Sequence, residues 1–447
     1  MPNARIQWFT PHVRRRFSRE GFSGLPLTIL CTVLLFLLAL LLAIIRAFLN
    51  HDPLLALDAT VINTLYAFRG PALLNFFYFV TFFGQDPVVS LMGVCLAAFL
   101  LLKKQYPLLL VQAISLALAE SAAFEGKLFF QRARPDVVVR AVQITQFSFP
   151  SGHATTAAVF FGFLVYLIFR SYSSWKIRIP TVIGASLIIL LVDLSRMYLG
   201  VHYLSDVIAG NLVGIGSLLL AVVIMELVME RRQLVHTKAF RAWHLLVLCL
   251  LGIVFAVVYR TMAPLSAATP APVPEQDTTI QDIPSLFATG KVPTSTTGVL
   301  GNTQEPLNLV GVATDTCAVA DAEKAGWKEV DWSTPGAIMS TFGATVLHFS
   351  SSTPLRLPLF YNSRPNDRML ENQLTGTRRT EHLRFWKTGY KTPEGSVIAG
   401  LVTDDAATST DSNVLDTFIA DLAAAGAGES TTSTFPGAPF VVFADCH

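Results

Sequence analysis

The sequence predicts an all-α polytopic membrane helical bundle followed by a C-terminal soluble α/β domain. Three observations carry this prediction. Of 447 residues, 52% are hydrophobic and only 14% charged, against about 25% charged in an ordinary soluble protein, and the mean hydropathy is +0.51. Seven stretches stay apolar for about the 20 residues that a helix needs to cross ~30 Å of hydrocarbon. After Arg260 the composition turns abruptly to Pro, Ala, Thr and Gly. A single soluble globule, a disordered chain and a secreted disulfide scaffold all fit poorly. The length suits about two or three domains, and a net charge of +2 carries no polyelectrolyte signature of a nucleic-acid partner.

Taken in order, residues 1–26 form a basic N-terminus, 27–230 a six-span membrane core, and 243–260 a seventh span. The core spans are 27–48, 72–102, 107–130, 153–170, 179–197 and 206–228. The second is too long for a simple crossing, and Gly84 with Pro87 is expected to break or kink it. Between the first two, Leu54, Leu57, Val61 and Leu65 recur at helical spacing, which predicts an amphipathic helix lying on the membrane surface. The first apolar run exceeds the ~7–15 residues of a cleavable signal and lacks a small-residue cleavage site.

Basic residues set the orientation. An inside N-terminus places Arg5, Arg14, Arg15, Arg16, Arg19, Lys103, Lys104, Arg170, Lys176, Arg178, Arg231, Arg232, Lys238 and Arg241 in the cytoplasm, and leaves Arg69, Arg132, Arg134 and Arg140 outside. Seven spans put the C-terminal part on the outer side. Residues 261–300 read as an extended linker rich in Pro and Thr, and 301–447 as the external domain. Within it the pattern predicts strands at 307–312, 346–349 and 396–403, a helix at 315–325 stopped by Gly326, and a second at 414–425 stopped by Gly426. Cys31, Cys95 and Cys249 fall inside apolar spans as small hydrophobes, while Cys317 and Cys446 are positioned for a disulfide in an oxidising compartment.

The outer face gathers polar groups at three places. Lys127 closes the third span, and Arg134 follows two helical turns later, before Pro135. Ser148, Phe149, Pro150, Ser151, Gly152 and His153 precede the fourth span, whose N-terminus offers unpaired N–H groups to an anion. Ser195 and Arg196 end the fifth span, and His202 and Asp206 stand four apart, so one carboxylate can hold one imidazole nitrogen and leave the other free. Three cations, a helix N-terminus and two histidines suit a tetrahedral phosphate. One histidine can attack phosphorus while the other protonates the leaving oxygen, and this inventory requires no metal or other cofactor.

These residues resemble the type 2 phosphatidic acid phosphatase superfamily, membrane lipid phosphatases related in fold to vanadium haloperoxidases. Its three signatures stand in order over roughly residues 25–230: Lys127 with Arg134 and Pro135; Pro150, Ser151, Gly152 and His153; Ser195, Arg196, His202 and Asp206. The resemblance implies His202 as the nucleophile that becomes phosphohistidine, Asp206 as its orienting partner and His153 as general acid. It further implies Lys127, Arg134, Ser151, Gly152 and Arg196 as phosphate ligands, with a lipid phosphate as substrate and a bacterial inner membrane as the setting.

By that resemblance undecaprenyl diphosphate is the expected substrate. The alternatives are phosphatidate or phosphatidylglycerophosphate hydrolysis, or phosphate transfer to another lipid. A vanadate haloperoxidase, or a non-catalytic scaffold whose external domain binds an envelope partner, represents the other classes. The C-terminal part resembles the LssY C-terminal domain at Pro306 to Leu309, Gly326–Trp327, 358–364 and His382 to Lys387, with Glu381 where a second histidine is expected.

Among the remaining polar groups, Glu120 and Asp193 lie inside apolar spans at a cost of about 2.5–3.5 kcal/mol each. They are expected to orient Lys127 and Arg196. Arg132 and Arg140 read either as attractors of a polyanionic headgroup or as solvated loop charges. His382, Arg384 and Trp386 alternate as strand neighbours in a structural role.

Overall fold

The computed structural model describes residues 16–18, 21–50, 56–67, 69–135, 139–232 and 242–262. Further along, it describes 278–280, 283, 286, 292–297, 303–313, 315–330, 359–361, 364–373, 380–393, 395–404, 412–435 and 438–443. The predicted strand at 346–349 and Cys446 lie outside these. The chain divides into two compact units, Met1–Asp58 with Arg69–Thr269, and Ala59–Phe68 with Pro270–His447.

The first unit is helical because a chain in hydrocarbon must satisfy its backbone groups internally. Its helices are α1 (Leu25–Leu49), the first residues of α2 (Ala56–Ala67), α3 (Pro71–Val80), α4 (Asp86–Leu102), α5 (Tyr106–Phe130), α6 (Gly152–Ser171), α7 (Trp175–Tyr198), α8 (Leu204–Arg231) and α9 (Ala242–Met262). Among the described residues α1, α5, α6, α7 and α8 are long and apolar enough to cross a membrane. The expected break falls where Gly84 and Pro87 place it. A 3₁₀ turn, Thr81–Gly84, separates α3 from α4, and the pair bends by 42°, a sixth span if taken together. The apolar stretch of α9 in the described residues, Leu246–Met262, is shorter than a full span.

Helix α6 is the axis of this unit. Most of its side chains are buried, whereas among the described residues of α1 only Leu27 is. Small residues let α8 approach α6 at backbone distance. A Cβ on Gly210 would meet the Ser151 carbonyl at 2.6 Å, and one on Gly214 the Thr155 carbonyl at 2.6 Å. Thr155 Oγ1 donates across this seam to the Gly210 carbonyl at 3.1 Å. At the far end Arg170 and Glu226 form an ion pair joined by the Tyr166 hydroxyl.

The second unit is α/β. One sheet runs β11 (Gly428–Phe435), β12 (Ala438–Phe443), β4 (Leu309–Val312), β10 (Gly395–Asp404), β9 (Thr380–Thr392), β8 (Arg368–Gln373), β5 (Lys328–Glu329), with β1 (Thr278–Thr279) parallel to β9. A smaller sheet runs β3 (Thr303–Pro306), β2 (Ser295–Thr297), β6 (Phe360–Tyr361), β7 (Arg364–Pro365). Alternation along β9 separates the two faces. Leu383 and Phe385 pack under Trp327 and the helices α10 (Asp315–Lys324) and α11 (Ser412–Ala424), while Trp386 packs with Tyr361 and Val310 on the opposite side.

Gly326 and Gly426 take positive φ, +95° and +66°, at the two helix ends where the sequence places stops. His382 and Arg384 are buried on the Trp386 face, with His382 Nδ1 3.6 Å from Glu371 and Arg384 bonded to Thr403. Cys317 is disulfide-bonded, and Cys31, Cys95 and Cys249 are free thiols.

One boundary differs from the compositional reading. Residues 261–300 were expected to be linker, yet β1 and β2 belong to the sheets, and Ile283, Leu286 and Val292 are buried in the core with Trp386. Pro and Thr content reports backbone stiffness and polarity, and a few well-spaced apolar residues suffice to anchor such a segment.

Candidate active site

The site forms where the end of α5, the loop before α6, the end of α7 and the start of α8 converge. Helix α5 ends at Phe130, with Gln131 left-handed at φ +44°. Arg134 therefore stands on the following loop and does not continue the helical face of Lys127, as spacing alone suggested. Backbone carbonyls fix its guanidinium: Nε donates to Gln146 at 2.6 Å, Nη1 to Val201 at 2.6 Å, and Nη2 to Phe147 at 3.2 Å. Burial lowers its pKa to about 10, which leaves it cationic at neutral pH.

Nη1 of Arg134 also lies 3.0 Å from His202 Nε2. Arginine can only donate, so Nε2 presents its lone pair and the imidazole proton resides on Nδ1. His202 Nδ1 stands 3.5 Å from Asp206 Oδ2, an ion-pair distance longer than a hydrogen bond, and is buried without a hydrogen-bond partner among the described residues. His202 is 1% exposed. Burial, and then the charges of Arg134, Arg196 and Lys127, hold its pKa well below the ordinary histidine range, so the ring is neutral at pH 7.

Asp206 occupies the first turn of α8 and is fully buried. Its Oδ1 accepts from Arg132 Nη1 at 2.6 Å, and its Oδ2 from the Tyr203 backbone N–H at 2.9 Å and from the Ser148 hydroxyl. Its carbonyl accepts from Ser151 N–H at 3.0 Å, locking the loop before α6 to α8. Ser151 is the N-cap of α6, its hydroxyl facing Ala154 N–H at 3.5 Å. Both backbone and hydroxyl are thus engaged in building the loop, so direct phosphate contact by Ser151 is reduced to what its hydroxyl proton can offer.

Gly152 opens α6, and a Cβ there would stand 3.3 Å from Lys127 Nζ. The ammonium therefore sits over the helix N-terminus, beside N–H groups that lack intrahelical acceptors. His153 follows on α6, within electrostatic reach of Arg196, His202, Lys127 and Arg134. Arg196 is 3% exposed; Nη1 donates to Thr81 Oγ1 at 2.8 Å, while Nε is buried without an acceptor among the described residues. Such a donor costs about 1–3 kcal/mol unless something accepts from it. An anion between Lys127, Arg134 and Arg196 would supply that acceptor.

Residues 106–230 match the family model of the PAP2 superfamily. That segment, which holds the site, is similar to the PAP2 superfamily. Residues 289–412 match a second model, the LssY C-terminus. Phosphatidylglycerophosphatase B of Bacillus subtilis (strain 168) is 37% identical over 90 residues, 20% of this chain and 44% of that protein, so the match spans under half the relative's length. Among solved structures, a transmembrane PAP2-type phosphatidylglycerolphosphate phosphatase from Bacillus subtilis is 27% identical, covering 43% of this chain and 93% of that one at a TM-score of 0.34. LpxE of Aquifex aeolicus is 22% identical, covering 37% and 94% at a TM-score of 0.32.

Several side chains of the helical unit depart from their sequence-based roles. Glu120 accepts from Thr156 at 2.6 Å and Asp193 from Asn211 at 2.6 Å, so each hydrogen-bonds to a polar side chain of a neighbouring helix. Arg140 folds back onto the Pro135 carbonyl at 2.6 Å. Arg132 is no free headgroup attractor, being paired to Asp58 at 2.8 Å and to Asp206. Asp58 was missed altogether. Its signal was readable, since it lies four residues after Leu54 and three before Val61, a carboxylate on the apolar stripe of α2.

Proposed function

We propose that this chain is a membrane lipid phosphatase working through a phosphohistidine. The observation that carries the reading is His202, a buried imidazole whose Nε2 lies 3.0 Å from Arg134 Nη1 and whose Nδ1 stands 3.5 Å from Asp206 Oδ2. In the first step the substrate phosphate takes over the Arg134 donor, the Nε2 lone pair so released attacks phosphorus, a P–N bond forms, and the bond from phosphorus to the leaving oxygen breaks as His153 delivers a proton. Water, giving its proton to His153, then attacks the phosphohistidine and releases phosphate. Lys127, Arg134, Arg196 and the N-terminus of α6 neutralise the equatorial oxygens. Asp206 stabilises positive charge on the imidazole as the P–N bond forms.

The substrate is a lipid phosphate, with undecaprenyl diphosphate as first reading. Phosphatidylglycerophosphate is the second, favoured by the 37% identical relative named for that activity. The distribution of Lys and Arg among the connections supports an inside N-terminus, seven spans, and an outer location for both the site and the LssY-like domain. An envelope partner is the role proposed for that domain.

Phosphate release by the purified full-length protein from polyprenyl diphosphates, phosphatidylglycerophosphate and phosphatidate tests the reading. Release from at least one of them is expected. Halide oxidation with added vanadate and no phosphate release would replace the reading with a haloperoxidase. The pH profile gives a separate prediction. Because His202 is neutral well into the acid range, kcat/KM should not decline between pH 8 and 6.5, after allowance for the substrate phosphate's own ionisation near about pH 6. A fall in kcat/KM toward acid pH that begins above 6.5 and belongs to the enzyme would contradict that protonation state, whereas a fall toward alkaline pH belongs to the proton that His153 delivers.

A further inference from the structure

Arg132 stands two residues before Arg134, yet its guanidinium is bonded to three side chains of the protein. Nη1 donates to Asp206 Oδ1 at 2.6 Å and to Ser205 Oγ at 2.7 Å, and Nη2 donates to Asp58 Oδ2 at 2.8 Å. The rings of Phe48 and Tyr203 lie against it, with centroids at 5.2 and 4.3 Å. Asp58 also accepts from the backbone N–H of Ser205 at 2.9 Å and from its hydroxyl at 2.5 Å. The Asp58 and Asp206 side chains are 5% and 0% exposed. One carboxylate from the start of α2 thus ties the loop after α5 to the first turn of α8.

The charge arithmetic of this cluster matters for His202. Arg132 alone would cancel Asp206 and leave the imidazole facing a neutral pair. Asp58 restores one net negative charge to the trio while fixing the guanidinium that aims Asp206 Oδ1, so that Oδ2 is left to His202, Ser148 and the Tyr203 N–H. Two carboxylates sharing one arginine therefore present the field of a single ionised carboxylate, held in one orientation.

We propose that Asp58, acting through Arg132, is a positioning residue for Asp206 and sets the charge that His202 feels. The proposal rests on the phosphatase reading for its kinetic consequence, though not for its structural one. Besides this trio, His202 is faced by Lys127 on α5, His153 on α6, Arg196 on α7 and Arg134 on the loop, all of which stay unchanged in the variants below.

Asp58→Asn keeps the shape and removes the charge. It should lower kcat about 10–100-fold, by analogy with the loss of an outer partner of a metal-bound histidine, with KM within about twofold. It should also move the acid limb of kcat/KM to lower pH, because a lost negative charge disfavours the imidazolium. Asp58→Glu should restore most of the rate and the position of the limb. Ser205→Ala, which loosens the carboxylate without altering charge, should cost less and leave the limb in place. A loss in Asp58→Asn without limb movement or rescue by Glu would reduce Asp58 to a structural ion pair, and so would an unchanged kcat.

Nitrogen NMR of the full chain carrying ring-labelled histidine gives a readout that needs no turnover, with the His202 signal assigned from the His202→Ala protein. Both proteins should show the tautomer protonated on Nδ1 that Arg134 imposes, and in Asp58→Asn the nitrogen titration of His202 should move to lower pH. Identical titrations would overturn the proposal whatever the lipid assays show. Absence of phosphate release from every lipid would instead sink the phosphatase reading alone.

Discussion

Replacing His202 by alanine should abolish steady-state phosphate release, by about 10⁴-fold or more, because a nucleophile removed from a coupled catalytic set costs nearly the whole of the chemistry. Lys127, Arg134 and Arg196 remain in that variant and still gather charge, so lipid phosphate should continue to bind with little change in affinity. The decisive measurement is a rapid quench with labelled substrate. The wild-type protein should accumulate label bound through an acid-labile, base-stable P–N bond, and His202→Ala should accumulate none. Burial of His202 makes a stability control necessary, and an unchanged melting temperature would assign the loss to chemistry. Persistent turnover in a folded His202→Ala protein would remove the phosphohistidine step from the mechanism.

The second large effect is expected at Arg134, which serves architecture and charge together. Arg134→Ala deletes a cation from the site, worth about 10²–10³-fold by comparison with single oxyanion-stabilising donors. It also strips a donor from the carbonyls of Gln146, Phe147 and Val201, each costing about 1–3 kcal/mol where water cannot replace it. Activity and melting temperature should therefore fall together. Arg134→Lys keeps the charge but not the fork that reaches three carbonyls and His202 at once. It should recover part of the phosphate binding with little of the stability. Equal melting temperatures for wild type and Arg134→Ala would show that the loop is held by other means.

Elements built from one local pattern were legible in the sequence. The apolar runs became α1 and α3 to α9, Gly84 and Pro87 marked the bend, and Gly326 and Gly426 ended their helices. Short spacings within each segment singled out Lys127, Arg134, Gly152, His153, Arg196, His202 and Asp206, which lie in the segments that meet at the candidate site and whose roles are proposed above. Connections between segments were not legible. Asp58 and Arg132 are 74 positions apart, and no periodicity links a carboxylate on one helix to a guanidinium on a distant loop. Glu120 and Asp193 went astray for a related reason. Each was assigned to a cation on its own helix, whereas a buried carboxylate takes whichever donor an adjacent helix brings within reach, here Thr156 and Asn211. The sheet residues before 301 were hidden by composition, since Thr and Pro suit a sheet edge as well as a linker.

The glycine seam between α6 and α8 bears on how the molecule is born. His153 rides on α6 and His202 immediately precedes α8, and these helices enter the bilayer in succession before they dock. Until Gly210 settles against the Ser151 carbonyl, at a distance that excludes even one methyl group, the two histidines belong to separate pieces of chain. Under the phosphatase reading, newly inserted protein stays inert toward lipids until this seam closes, and a bulky residue at position 210 is expected to hold it open after insertion.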